Sequence, residues 1–160
     1  MKLVIFDLDQ TLVNFLSVHD KVTRRLFKRF FNVDIGLTEI DFTGKSLTEN
    51  FSELSRLKNI PEDVFQKNSQ QLLESYESTF GESLPNDATK YVLPGARELL
   101  SELSKTDNVL ALYTGDSPAI VRHVFHATDL GKYFRFCFYG TEVENRADMV
   151  RMAVQKAETA

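Results

Sequence analysis

The sequence predicts an α/β fold in which a three-layered, parallel sheet core is interrupted after its first strand by an all-helical insertion. Three observations predict it. Residues 2–8 form a run of branched apolar side chains suited to a strand buried on both faces. Residues 91–140 alternate strand-like and helix-like segments at a spacing that demands crossovers, hence parallel strands with helices on the sheet faces. The chain between them shows helical periodicity only.

Taken in order, residues 2–8 are the first strand. From Ser17 the pattern changes: Val18, Val22, Leu26, Phe27 and Phe30 recur at helical spacing, with Lys21, Arg24, Arg25, Lys28 and Arg29 between them as a solvated face. A loop over residues 32–50 runs into helical segments at 47–57 and 61–80. Pro61 suits the first turn of the latter, and Glu62 and Asp63 suit its dipole. The polar stretch "GESLPNDATKY" reads as a linker. Pro94 and Gly95 then open an amphipathic helix carrying Leu99, Leu100 and Leu103. "NVLALYTG" is a second buried strand, "SPAIVRHVFHATDL" a second core helix and "FRFCFYG" a third strand. The division is therefore a core of residues 1–14 and 91–160 and a helical domain of residues 15–90, without internal repeats.

The totals fit this scheme. A chain of 160 residues holds one ordinary domain or a small core with an insertion, and 42% hydrophobic with 26% charged residues is a globular composition. A net charge of -4 gives no reason to expect nucleic acid as a partner, while a locally positive pocket for small anions stays compatible with it. Cys137, the lone cysteine, has no internal disulfide partner and sits in an apolar run, so it reads as a packed thiol. The first apolar stretch is too short to span a membrane and is broken by acids where a signal peptide would stay greasy. A reducing cytoplasm is the expected location, with no membrane partner. His19, His123 and His126 show no paired ligand pattern and read as surface or packed residues.

In open parallel sheets, ligands sit beyond the carboxyl ends of the strands. Asp7 and Asp9 stand at that end of the first strand and Thr114-Gly115-Asp116 at that end of the second, so the two signals converge on one crevice. Side-chain alternation puts Asp7 and Asp9 on a shared face. Like charges so close suit either a divalent metal or a proton-transfer pair. Magnesium, which seeks hard oxygen ligands and keeps its waters, would suppress repulsion from an incoming phosphate and leave one carboxylate free to attack phosphorus. Thr114 offers a hydroxyl and Gly115 an open amide just before a helix that Asp116 or Ser117 can cap and Pro118 can start. By itself that is a strand-to-helix turn; facing Asp7 and Asp9 it reads as an anion seat.

These residues carry a resemblance. "FDLDQTL" resembles the first motif of the haloacid dehalogenase superfamily of phosphohydrolases, and "LYTGD" resembles its second. The insertion after the first motif is similar to the mobile helical cap of phosphoglycolate-phosphatase-like members, on a Rossmann-like core. The resemblance implies a magnesium-dependent phosphatase acting on a small, phosphoglycolate-like phosphorylated metabolite through an aspartyl-phosphate. Asp7 would be the nucleophile and Asp9 the general acid and base, with magnesium held by the Asp7 side chain and the Asp9 backbone carbonyl. Thr114 and the Gly115 amide would bind the transferring phosphoryl group. A third motif should supply a cation near the start of a later helix, and Arg146 is preferred over Lys156, although the family more often has lysine there. Thr43, Gly44, Lys45 and Ser46, in "FTGKSL", are similar to substrate-specificity loops of such caps; a plain turn with a helix cap also explains them.

A fourth motif, an acidic pair after another buried strand, does not follow: the sequence ends at "AVQKAETA" in a helical pattern, and Asp116, Glu142 and Glu144 lack its setting. The expectation is a core truncated at its C-terminus. One side of the first strand would then be an open edge, inviting a homodimer, and the metal would be held more weakly. Two other functions stay open, a noncatalytic binding protein on the same scaffold and a phosphosugar mutase; dehalogenation fits the acid at position 9 less well.

Overall fold

A computed structural model describes residues 2–142, 150–152 and 154–156. Strand β1 (Leu3–Phe6) pairs in parallel with β2 (Val109–Thr114), which pairs in parallel with β3 (Phe136–Tyr139), giving the order β1-β2-β3 among the described residues. Leu3 sits opposite Val109 and Phe6 opposite Leu112; Thr114 sits opposite Tyr139. All three strands therefore end on the same side. Between β1 and β2 come α1 (Leu16–Phe31), α2 (Leu47–Leu57), α3 (Glu62–Ser83) and α4 (Ala96–Ser104), and α5 (Pro118–Thr128) joins β2 to β3.

Strand alternation divides the apolar side chains between the two sheet faces. Val4, Phe6, Leu110 and Leu112 join a large core with the helices. Leu3, Ile5, Ala111, Phe136 and Phe138 form a smaller cluster on the opposite face. There the ammonium of Lys156, in a helical stretch, lies 5.7 Å from the ring centroids of both Phe136 and Phe138. Helical chain thus covers both faces of a Rossmann-like sheet, the three-layered arrangement expected from the sequence.

The insertion follows its amphipathic stripes. In α1, Val18, Val22, Leu26 and Phe27 are buried, whereas Phe30 is only partly so. Helix α3 lies against α1 and reaches α5. It begins one residue later than expected, because Pro61 is its extended N-cap residue, and it ends at Ser83, past the expected Phe80. The large core is continuous from Leu26 and Phe51 in the insertion to Leu112 and Ile120 beside the sheet. No helix among the described residues is long and apolar enough to cross a membrane.

The chain enters and leaves the insertion along two adjacent threads. Asn14 N–H donates to the Tyr91 carbonyl (2.8 Å), Leu93 N–H donates to the Leu12 carbonyl (2.9 Å), and Val13 bridges Val92 in antiparallel fashion. Strand β1 stops at Phe6 rather than at Leu8, because the chain folds into a tight turn. The Leu8 carbonyl there accepts the Leu12 amide (2.8 Å), and Gln10 adopts a left-handed φ of 62°.

Candidate active site

A cavity of about 470 Å³ opens at the carboxyl ends of β1 and β2. On the sheet side it is lined by Asp7, Asp9, Thr114, Gly115 and Asp116. From the insertion it is lined by His19 of α1, by Thr43, Gly44 and Lys45 of the loop before α2, and by Asn50 of α2. The carboxylates and the Thr-Gly turn expected at one crevice do share it. They do so for a different reason than strand alternation, since Asp7 and Asp9 already lie beyond β1 and on its following turn.

Asp9 is anchored twice. Its Oδ1 accepts the Phe15 amide at the start of α1 (3.2 Å). Its Oδ2 lies 2.8 Å from His19 Nε2, an ion-pair contact too poorly aligned to be a hydrogen bond. On the other edge of the imidazole, Nδ1 lies 2.8 Å from the Tyr76 hydroxyl, and Phe80 stacks on the ring with centroids 4.5 Å apart. Burial works against charge on His19, but the neighbouring Asp9 carboxylate outweighs it and the imidazole pKa is raised. Burial pushes the Tyr76 phenol up, so it stays neutral as a partner.

Asp116 does not cap α5. Ser117 does, its Oγ accepting the Ile120 amide (3.4 Å), with Pro118 in the first turn. Asp116 turns instead into the site, where its amide donates to Thr114 Oγ1 (3.2 Å) and its carboxylate accepts from the same hydroxyl (3.3 Å). Only 9% exposed, its carboxyl is pushed up to about 6, first by burial and then by the charges of Asp9 and Asp7, with His19 and Thr114 acting the other way. One ligand atom from each of Asp9, His19 and Asp116 lies within 4.8 Å of the others, a group with the makings of a metal site.

The specificity-loop candidates separate. Thr43, Gly44 and Lys45 border the cavity, and the Lys45 ammonium is paired with Glu53 (2.5 Å) and with the Asp41 carbonyl. Ser46 is the N-cap of α2: its Oγ accepts the Glu49 amide (3.3 Å) and its own amide donates to Glu49 Oε2 (2.6 Å). Its side chain is spent on the helix, and it does not line the cavity. Arg146 lies outside the described residues. Lys156 is exposed over the far face of the sheet.

Gly115 brings the turn after β2 hard against the insertion. Its carbonyl accepts the Leu47 amide (3.0 Å), and a Cβ at this position would sit 2.4 Å from the Lys45 carbonyl oxygen. Gly140, after β3, is also hemmed in: a Cβ there would meet Gly115 Cα at 2.8 Å.

Three site residues were not singled out from sequence: His19, Asp116 and Asn50. The signal for His19 and Asn50 was present, since each interrupts an apolar helix face, His19 beside Val18 and Val22, and Asn50 between Leu47 and Phe51. Asp116 was placed with Thr114 and Gly115 at the end of the second strand, but its side chain was weighed only as a cap or as an acid without its setting.

The family model for haloacid dehalogenase-like hydrolases matches residues 4–160, and the chain belongs to that family. Among curated proteins, none matches the sequence. Solved structures share its fold. β-Phosphoglucomutase from Clostridium difficile superposes with a TM-score of 0.79 at 17% identity, over 96% of this chain and 70% of that one. CbbY from Rhodobacter sphaeroides, solved in complex with phosphate, gives 0.74 at 17%, over 98% and 72%. A predicted phosphoglycolate phosphatase from Haemophilus somnus gives 0.68 at 21%, over 90% and 64%.

Proposed function

We propose that the cavity is the active site of a magnesium-dependent phosphatase that hydrolyses a small phosphorylated metabolite through an aspartyl-phosphate on Asp7. One observation carries this reading: Asp7 and Asp9, just beyond β1, face Thr114, at the end of β2, across a single cavity. Family membership supports the hydrolase class.

The residues fit a hard divalent cation. Asp7, Asp9 and Asp116 bring three carboxyl groups to one cavity, the hard oxygen donors such an ion takes. The Asp7 and Asp116 side chains and the Asp9 carbonyl would hold the ion, which when bound offsets the charge of an incoming phosphate.

The Asp7 carboxylate attacks phosphorus, forming an acyl phosphate as the bond to the leaving oxygen breaks. Asp9, as the acid, gives that oxygen its proton; as the base it then takes a proton from the water that cleaves the acyl phosphate, restoring both residues. Phe15 N–H and His19 fix its carboxyl group for both steps. Thr114 Oγ1 turns from Asp116 to donate to a phosphoryl oxygen, with the Gly115 amide beside it and Arg146 supplying the third-motif cation. The loop of Thr43, Gly44 and Lys45 meets the leaving group, and the insertion closes as a cap that excludes bulk water.

Phosphate release from p-nitrophenyl phosphate with magnesium tests this. The wild-type protein turns over, chelation abolishes the activity, and Asp7→Asn lowers it by roughly a thousandfold or more. Beryllium fluoride forms an adduct on Asp7. Absence of both turnover and adduct points to a binding scaffold, and an isomerised sugar phosphate in place of free phosphate points to a mutase.

A further inference from the structure

Leu16 and Phe42 are large apolar residues that line the cavity without being packed away. Leu16 is the first residue of α1 and Phe42 lies in the loop before α2; both are only half-buried. Their neighbours in sequence go elsewhere, for Phe15 is fully buried in the large core and Ile40 packs against it. Leu37 repeats the pattern: it lines the cavity from between Ile35 and Ile40, which both turn to that core. Leu47, 4% exposed, completes an apolar lining drawn wholly from the insertion.

The cavity is thus divided by origin. The sheet side supplies Asp7, Asp9, Thr114 and Asp116, the groups that handle a metal and a phosphoryl group, and the insertion supplies the hydrocarbon. At about 470 Å³ the space takes a small molecule, and pockets of that kind bind through apolar walls while a few polar groups fix the orientation. Exposure grades the lining: Thr11 and Thr43 are exposed and stand nearer the solvent, whereas Leu16 and Phe42 lie deeper. Water held against those two side chains is released when an apolar group covers them. A carboxylate or a string of hydroxyls in the same place exchanges hydration for hydrocarbon and is disfavoured.

We infer that the cavity selects a phosphate monoester whose leaving group is an apolar alcohol, alkyl or aryl, and that Leu16 and Phe42 are the specificity-determining residues against which that group is seated. The inference rests on the phosphatase reading, names its substrate class and departs from the phosphoglycolate-like metabolite that the sequence resemblance suggests.

The straight-chain esters from ethyl to pentyl phosphate test it, because their leaving alcohols are nearly equal in basicity and differ only in length. Wild-type kcat/KM with magnesium rises about fourfold per methylene. Propyl phosphate exceeds glycerol 3-phosphate, its hydroxylated counterpart of equal length, by roughly tenfold or more. Phe42→Ser and Leu16→Ser each lower the rise to about twofold or less per methylene, whereas Phe42→Leu, which keeps an apolar side chain there, preserves it. A flat series in the wild type, a preference for glycerol 3-phosphate, or a rise unmoved by both serine variants overturns the inference. A readout without turnover separates it from the reading beneath it. In Asp7→Asn protein with magnesium, pentyl phosphate raises the Tm more than ethyl phosphate does, and the difference shrinks in the Asp7→Asn, Phe42→Ser double variant. Equal shifts in Asp7→Asn sink the apolar seat, whereas failure to turn over p-nitrophenyl phosphate sinks the phosphatase reading alone.

Discussion

Asp20 accepts hydrogen bonds from the Thr38 amide (3.0 Å), the Thr38 hydroxyl (2.9 Å) and Arg24 Nε (2.9 Å), tying the loop after α1 back onto that helix. Partial burial works against its charge, but these donors outweigh it and hold the carboxyl below its ordinary value of 3.8. The sign of the pH effect follows. With a folded pKa below the unfolded one, its contribution is fully present above about pH 3.8 and is lost as pH falls through the folded value. Asp20→Asn should cost about 1–2 kcal/mol at neutral pH, and the gap to wild type should close in acid, read from urea midpoints across pH. At this scale the sequence was legible where chemistry comes as a local motif. Asp7 and Asp9 stand two apart and could be read directly, and Thr114-Gly115 followed from its place before a helix. His19 showed in the sequence only as a polar break in an apolar helix face, because what makes it a site residue is Asp9 ten positions earlier and Tyr76 and Phe80 on another helix. Only the packing of α1 on α3 brings these together.

The helices of the insertion were legible as elements because their buried stripes are strong: α2 spans the expected residues 47–57, and α3 differs from expectation only at its ends. What remained hidden was how the loop before α2 divides its work. Ser46 serves the helix, so Ser46→Ala should cost about 1 kcal/mol in thermal or urea unfolding, as loss of an N-cap does. Gly115 serves the junction. Because the atom facing it is the Lys45 backbone carbonyl, which cannot rotate aside, Gly115→Ala must push the loop away from the turn after β2. We expect KM to rise severalfold and stability to fall by about 1–3 kcal/mol, as overpacking usually does. Unchanged kinetics in a folded Gly115→Ala protein would show that this contact does not shape the cavity.

Over the whole molecule, the insertion and the sheet share one hydrophobic core, with Phe15, His19, Tyr76 and Phe80 in ring contact between α1 and α3. Sequence divided the chain at residues 14/15 and 90/91, and the shared core was invisible because periodicity tells which face is buried without telling against what. The two parts should therefore unfold together in urea, with far-ultraviolet circular dichroism and tyrosine fluorescence giving coincident transitions. Phe80→Ala, removing a fully buried ring, should lower stability by about 3–5 kcal/mol and move both probes equally. Two separated transitions would contradict the shared core.

The paired threads at Leu12–Asn14 and Tyr91–Leu93 have a consequence for how such a molecule can change over time. Because they are already bonded side by side, whatever is strung between them starts and finishes at one point on the core. A longer, shorter or quite different helical module grafted there would leave the alignment of Leu3 with Val109 untouched, and the entropy of closing the added loop grows only with the logarithm of its length. The acids could thus keep their stations while the roof above them is exchanged, so that new substrates are reached by replacing the part that recognises and conserving the part that reacts.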